Sequence, residues 1–179
     1  ECLLSLERYD ECEKAIKKQL KKSPENVSLY VTYGNLYERQ EKTDEAKAQY
    51  ERAIQKMAPD YMSVNRLAML FIGSAKYDYA TQTYERGGQL MKDPNRFAFN
   101  LGELYRRKGD QLEMIKYYLN SIDADPGRIP TVQTLLARYL SPAEFTELQT
   151  QLYARIQEND NPDFVELLAW SFVQRKDFK

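Results

Sequence analysis

Apolar and polar residues alternate along this chain with the spacing of amphipathic helices, and the pattern recurs with a period of about 34 residues. Two sets of positions show the recurrence, with the second set four residues after the first. These sets are Cys12, Ala46, Ala80 and Met114, and Ile16, Tyr50, Tyr84 and Tyr118. Residues four apart lie on one face of a helix. A fixed period of this length predicts a series of similar helical units rather than one closed domain.

Small and large residues also recur at the same period. If Val27 is the first position of one unit, a small residue stands at position 8 and an aromatic residue at position 11. The small residues are Gly34, Ala68 and Gly102, the aromatic ones are Tyr37, Phe71 and Tyr105, and prolines near the unit ends are Pro24, Pro59, Pro94 and Pro126. Two antiparallel helices approach closely only where one side is small. Each unit is therefore predicted to be a pair of antiparallel helices.

This arrangement resembles the tetratricopeptide repeat (TPR), whose pattern is an aromatic residue, Leu-Gly, Tyr, Ala, an aromatic residue and Pro. The resemblance is specific from about Glu7 to Pro126. It implies an all-α fold, a right-handed α-solenoid of antiparallel helix pairs. We expect one array over residues 1–179, cut from a longer protein. Its parts are a partial repeat 1–26, repeats 27–60, 61–94 and 95–128, a divergent repeat 129–161 and a partial repeat 162–179.

Helices are still predicted where the repeat pattern weakens after Gly127. Residues 129–140 and 163–176 have helical spacing of apolar residues. Between them, Ser141 followed by Pro142 and Glu144 is a helix start with a capping box, and the apolar stripe continues to about Glu158. The last third of the chain is therefore predicted to continue the array in divergent form.

Composition excludes several classes of function. The formal net charge is −1, whereas nucleic-acid-binding surfaces are usually strongly basic. Histidine, the commonest general base and metal ligand, is absent. The sequence contains no phosphate-binding loop, metal cluster or nucleophile paired with a base, and no apolar run long enough to span a membrane. We therefore expect a protein that is not an enzyme and has no cofactor, no metal, no nucleic-acid partner and no membrane-inserted segment.

The TPR resemblance implies a binding face. In that family the first helix of each pair lines the concave side, where extended peptides bind. Among the residues of this chain at lining positions, those that we expect to bind a partner are Asn35, Arg39, Asn65, Arg66, Met69, Arg96, Phe99, Asn100, Glu103 and Arg107. Asparagine pairs with peptide amides and arginine with carboxylates. We expect a scaffold that binds a protein or peptide of acidic character. Val31 stands where the family's carboxylate-clamp subtype has lysine, so that subtype is not predicted.

Other functions and features remain open at this stage. The alternative function is that of a structural module, which associates end to end with flanking repeats or with itself.

Several local features are also open to interpretation. A basic run, Lys17, Lys18, Lys21 and Lys22, is predicted to be a solvated face rather than a membrane or nucleic-acid contact. Gly87-Gly88 indicates either close helix packing or a kink, and Cys2 and Cys12 either a disulfide or buried thiols. The overall pattern resembles that of bacterial proteins, with cytoplasm and cell envelope both open as the compartment.

Overall fold

The computed structural model describes residues 8–175, and most of them lie in α-helices. No strand occurs in this part of the chain, which confirms the all-α expectation. The helices are α1 (Tyr9–Lys22), α2 (Val27–Arg39), α3 (Thr43–Gln55), α4 (Tyr61–Gly73), α5 (Tyr77–Leu90), α6 (Ala98–Lys108), α7 (Gln111–Ala124), α8 (Ile129–Tyr139), α9 (Pro142–Glu158) and α10 (Pro162–Arg175), with a short 3-10 helix at Pro126–Arg128. Cys2 lies outside the described residues, whereas Cys12 is a buried free cysteine on α1.

The chain divides into two compact units, with the boundary between Lys92 and Asp93. Unit 1 contains α1–α5 and unit 2 contains α6–α10. Within unit 1, α2 packs on α3 and α4 on α5, and the two first helices, α2 and α4, also contact each other. Within unit 2, α6 packs on α7 and α9 on α10, while α8 contacts both α7 and α10. Helix pairs are thus the building block of each unit.

The same tight turn joins the two helices in three of these pairs. Glu41, Ala75 and Gly109 recur at the period of the repeat, and each has a positive φ, of 61°, 56° and 75°. In each turn the next residue's N–H donates to the carbonyl of a residue five positions earlier, at 2.8–3.0 Å. This is the hydrogen bond of a Schellman-type helix end. The turn is therefore a repeated structure, although only one of the three pairs uses glycine for it.

Small residues face large ones inside each pair, as the sequence predicted. A Cβ atom added to Gly34 would lie 2.2 Å from Cε1 of Tyr50, and one added to Gly102 would lie 2.5 Å from Cδ1 of Tyr118. Ala68 and Tyr84 occupy the equivalent positions in the middle pair, and both are buried. The backbone of the first helix therefore rests on a tyrosine ring of the second helix, which fixes how close the two can approach.

The Gly87-Gly88 pair lies inside α5, which runs without interruption from Tyr77 to Leu90. Both glycines are buried, and α5 contacts α3 as well as α4. These observations favour the close-packing interpretation of the two glycines.

The divergent end of unit 2 has a core of its own. Ser141 accepts from the backbone N–H of Glu144, and the Glu144 carboxylate accepts from the Ser141 N–H at 2.6 Å, which confirms the predicted capping box. Buried side chains of α7–α10 form one cluster that includes Ile115, Leu119, Val132, Leu136, Phe145, Leu148, Leu152, Phe164 and Leu167. Arg155 of α9 donates to Asp123 at 2.7 Å and to Asn120, and so ties α9 to α7.

Candidate partner-binding faces

The ten residues predicted to bind a partner fall into two sets of five, one in each unit. Unit 1 holds Asn35, Arg39, Asn65, Arg66 and Met69, on α2 and α4. Unit 2 holds Arg96, Phe99, Asn100, Glu103 and Arg107, on α6 or just before it.

In unit 1, buried tyrosines anchor two of the predicted asparagines. The Tyr50 hydroxyl of α3 donates to Oδ1 of Asn35 on α2, at 2.7 Å. The Tyr84 hydroxyl of α5 donates to Oδ1 of Asn65 on α4, at 2.9 Å. Both rings lie in the core and both asparagines are partly buried, so each hydroxyl reaches from the core to the face of the first helix. The asparagine side chains are thereby held in one orientation.

Unit 2 repeats this contact with a carboxylate. The Tyr118 hydroxyl of α7 donates to Oε1 of Glu103 on α6, and Arg106 donates to Oε2 of the same carboxylate at 2.9 Å. The three tyrosines stand at equivalent positions of successive repeats. Each donates to a polar side chain of the first helix, which lies 15 residues earlier for Tyr50 and Tyr118 and 19 residues earlier for Tyr84. The sequence pattern assigned these rings to packing and missed their hydroxyls. The signal was present, because all three positions carry tyrosine rather than phenylalanine, and a buried tyrosine hydroxyl usually finds a partner.

The same contacts set the charge state of Glu103. Burial by itself raises the pKa of this carboxyl, but hydrogen bonds from Arg106 and Tyr118, together with the charges of Arg106 and Arg107, outweigh burial and leave the pKa below its ordinary value. Burial is also the largest cause of the raised pKa of Tyr118, followed by its bond to Glu103. Glu103 is therefore an ionised carboxylate at neutral pH, and Arg106 compensates its charge.

Helix α4 presents an exposed strip of apolar and cationic side chains, Met62, Arg66 and Met69, which we call the α4 strip. Met62 is 66% exposed and Met69 is 50% exposed, and Arg66 between them is also exposed. Their spacing of four and three residues places them on one side of the helix. Methionine is flexible and polarisable, and for that reason it is common on surfaces that bind varied partners. The repeat positions of all three residues predict this face, and the structure shows that their side chains are exposed.

Arg66 also lines a cavity of about 670 Å³ in unit 1. The cavity lies where the start of α2, the segment after α3 and the start of α4 meet. Its lining consists of Glu25, Asn26, Val27, Ser28, Lys56, Met57, Ala58, Pro59, Ser63 and Arg66. An ion pair between Lys56 and Glu25, at 2.8 Å, occupies part of this lining. The cavity extends the polar surface beside the α4 strip.

Phe99 and Val31 both make contacts within the fold. Phe99 is partly buried: its ring packs on Tyr118, with centroids 5.7 Å apart, and the Arg128 guanidinium lies 4.9 Å from its centroid. Val31 is only 3% exposed, so the residue at the clamp-lysine position faces the core. This burial is a physical reason why the clamp geometry does not form here.

The remaining predicted side chains differ in exposure. Arg39 ends α2, Arg107 lies near the end of α6, and both are exposed. Arg96 is exposed as well and lies in the turn before α6, which begins at Ala98. Asn100 is partly buried on α6. The predicted residues of unit 2 therefore include two exposed arginines, Arg96 and Arg107, beside the compensated Glu103.

Between residues 8 and 175, no group of three or more His, Cys, Asp or Glu side chains is arranged to hold a metal ion. Over that range no helix combines the length and the apolar character needed to cross a membrane.

Comparison with known proteins adds a family match. The sequence profile of the tetratricopeptide repeat matches residues 27–55, which form α2 and α3, and residues 96–128, which contain α6 and α7. No curated protein sequence matches the chain. Among solved structures, MamA is similar with 16% identity and a TM-score of 0.42, over 97% of this chain and 92% of MamA. YrrB, described as a TPR protein with an unusual peptide-binding site, has 18% identity and a TM-score of 0.38, over 98% and 82% of the two chains. PilF of Pseudomonas aeruginosa has 15% identity and a TM-score of 0.38, over 94% and 71%.

Proposed function

We propose that this chain, which carries tetratricopeptide repeats, is a non-catalytic scaffold that binds a partner protein or peptide on the first-helix faces of its two units. The observation that carries the proposal is the repeated anchoring of polar side chains by core tyrosines. Asn35, Asn65 and Glu103 each accept a hydrogen bond from a tyrosine of the second helix.

Anchoring supports binding because it reduces the loss of side-chain entropy when a partner binds. A free surface side chain loses about 0.5–1.5 kcal/mol of rotamer freedom when a partner immobilises it. Tyr50 has already fixed the amide of Asn35, with Oδ1 directed at the hydroxyl. The NH₂ group of that amide therefore points elsewhere and can donate to a peptide carbonyl.

The exposed charged and apolar groups define the partner that we propose. Arg66 in unit 1 and Arg107 in unit 2 are exposed guanidinium groups, which suit carboxylates. Met62 and Met69 flank Arg66 with apolar surface. We infer a partner segment in which acidic side chains alternate with apolar ones.

The test is affinity capture with a matched pair of variants. The first variant replaces Arg66, Asn100 and Arg107 with Ala. The control replaces Arg52, Gln82 and Arg86 with Ala, two arginines and one amide that are exposed on the second helices α3 and α5. Both variants lose two positive charges, so a difference between them reports on position. We expect the parent chain and the control to capture the same protein, and the first variant to lose it while keeping its far-ultraviolet circular dichroism spectrum.

A structural role is the second candidate, and one observation favours it. Val165 and Val173 on α10 are 46% and 50% exposed, which leaves apolar surface at one end of unit 2. Light scattering during size-exclusion chromatography separates the two candidates. Equal capture by both variants, together with a mass that rises with protein concentration, would favour assembly over partner binding.

A further inference from the structure

We propose that helix α1 docks unit 1 on the surface of a membrane that contains anionic lipids. The docking surface is a set of four exposed lysines on one side of this helix, which we call the α1 lysine face. It consists of Lys14, Lys18, Lys21 and Lys22. Helix α1 is equivalent to the second helices of the repeat, and none of the four lysines belongs to the first-helix faces. The inference therefore goes beyond the proposed function.

Helical spacing places the four lysines together. They are separated by four, three and one residues, so they lie within an arc of about 100° around the helix axis. The opposite side of α1 holds the buried Cys12 and Ile16, which share a core cluster with Tyr33 and Leu36 of α2. The lysine face therefore points away from α2, and docking through it does not cover that helix.

The nearest acidic residues on either side of the face in sequence are paired with other cations. Glu13 forms an ion pair with Lys17 at 2.7 Å, and Glu25 forms one with Lys56 at 2.8 Å. Residues 14–22 contain no acidic residue themselves. In the part of the chain that the structure describes, the four ammonium groups of the face take part in no hydrogen bond or ion pair. The positive charge of the face is therefore uncompensated.

Two simpler explanations, one of them the solvated face that the sequence predicts, account for only part of this arrangement. Cations in the last turn of a helix stabilise it through the helix dipole, which applies to Lys21 and Lys22 but not to the two earlier lysines. Solvated helix faces usually contain charges of both signs that pair along the helix, as Lys47 and Glu51 do on α3 at 3.9 Å. Unpaired charge of a single sign on one side of a helix favours the binding of an anionic surface.

The chemistry of the face favours a bilayer surface over nucleic acid. Each lysine is a point charge on a flexible stem, which suits the diffuse charge of lipid headgroups. Nucleic-acid contacts also use arginine, amide and aromatic side chains, and the α1 lysine face contains none of these. The net charge of the chain is −1, so its other surfaces would not attract a long polyanion. A bilayer needs only the helix that lies against it, because charges farther away than a Debye length of about 8–10 Å are screened.

The docking should be peripheral and sensitive to salt. Between residues 8 and 175, the large apolar side chains that are exposed all lie outside α1, so this helix offers none for insertion among the acyl chains. Each lysine near an anionic surface raises the affinity about fivefold, so four lysines give a partition coefficient of about 10³ M⁻¹. Such binding is weak and reversible, and we expect it to orient unit 1 rather than to hold it permanently.

Flotation of vesicles in a density gradient tests the proposal. The full chain is mixed at low salt with vesicles of two parts phosphatidylcholine and one part phosphatidylglycerol, and in parallel with vesicles of phosphatidylcholine alone. The test variant replaces the four lysines of the α1 lysine face with Gln. The control variant replaces four other exposed lysines with Gln, namely Lys42, Lys47, Lys92 and Lys116. Both variants lose four positive charges, and circular dichroism measures whether each remains helical.

We expect about half of the parent chain and of the control to float with the anionic vesicles at about 1 mM lipid. The test variant should bind these vesicles at least about a hundredfold more weakly, and the parent should bind phosphatidylcholine vesicles just as weakly. Added salt should release the parent from the anionic vesicles.

Equal flotation of the test and control variants would overturn the proposal, and so would a parent chain that does not float with anionic vesicles. If the test variant were to lose its helicity, the parent would decide the question alone, because equal flotation with charged and uncharged vesicles contradicts docking by charge. Binding of a DNA duplex that is tighter than vesicle binding and depends on the four lysines would assign the face to nucleic acid instead. These results leave the capture experiment on Arg66, Asn100 and Arg107 unaffected, because no residue is shared.

Discussion

Replacing Gly34 with alanine adds one methyl group at the closest helix contact of unit 1. The new Cβ would lie 2.2 Å from Cε1 of Tyr50, 2.6 Å from Cδ1 and 2.7 Å from Cζ. Carbon atoms pack comfortably at about 3.5–4.0 Å. The tyrosine ring would therefore have to move by about 1.3 Å, or α2 and α3 would have to separate by a similar distance.

The ring has little room to move. Tyr50 is 1% exposed, and its ring packs on Phe71 and Tyr79, with centroids 5.7 and 4.9 Å away. Its hydroxyl is bonded to Asn35. Overpacking of this kind costs about 1–3 kcal/mol, while alanine gains up to about 1 kcal/mol over glycine within a helix. We expect Gly34→Ala to lower the free energy of unfolding by about 1–2 kcal/mol.

Gly73→Ala is the matched control in the same unit. Gly73 ends α4, and nothing lies within 4 Å of a Cβ added there. The same chemical change should therefore stabilise the protein, by up to about 1 kcal/mol. The measurement is urea unfolding followed by circular dichroism at 222 nm. With slopes of about 1–3 kcal/mol/M, the two midpoints should move in opposite directions and differ by roughly 1 M.

The outcome separates packing from helix propensity. If Gly34→Ala were as stable as Gly73→Ala, the conclusion that α2 lies in close contact with the Tyr50 ring would be wrong. Gly34→Ala should cost less stability in a chain that also carries Tyr50→Leu than in the parent, because the smaller side chain leaves room for the methyl group. That result would locate the strain at the contact between residues 34 and 50.

Two further predictions concern unit 2. The pKa of Glu103 lies below its ordinary value of 4.5, so its contribution to stability is fully present above that value and is lost as the pH falls through the lower pKa of the folded state. The free energies of unfolding of the parent and of Glu103→Gln are measured in urea from pH 7 to pH 3. Their difference should shrink on acidification, and a constant difference would contradict the assignment. Ser141→Ala removes the acceptor for the Glu144 N–H at the start of α9 and should cost about 1 kcal/mol; an unchanged thermal midpoint would show that the capping box does not stabilise this helix.

The helix pairs were predictable because their determinants are local and recur. Glycine opposite tyrosine, repeated at a fixed period, is visible in the sequence and corresponds to a measured contact in the structure. The capping box at Ser141 was equally predictable, because three residues define it. The left-handed residues Glu41 and Ala75 were not, since nothing in their chemistry favours a positive φ. The turn requires that conformation, and the packed helices on either side impose it.

The candidate site was predictable only as a set of positions. The repeat places Phe99 on the first-helix face, but its exposure depends on Tyr118 and Arg128, which come from other elements of unit 2. None of the ten predicted residues comes from α8 or α10, although an open cavity of unit 2 lies between these two helices. They belong to the part of the chain where the repeat pattern is weakest, and the whole of α9 separates them in sequence.

The tyrosines of the repeat show why packing and binding are difficult to separate in this chain. A phenylalanine would fill the space against Gly34 as well as Tyr50 does, because the contact is made by ring carbons. The hydroxyl adds the bond to Asn35, on the side of α2 that we propose for binding. Tyr84 likewise bonds an asparagine, Asn65, whereas Tyr118 bonds the carboxylate of Glu103. The ring therefore sets the distance between the two helices, and the hydroxyl fixes the orientation of the polar side chain on the first-helix face. Replacing Tyr with Phe would release that side chain while preserving the distance between the helices.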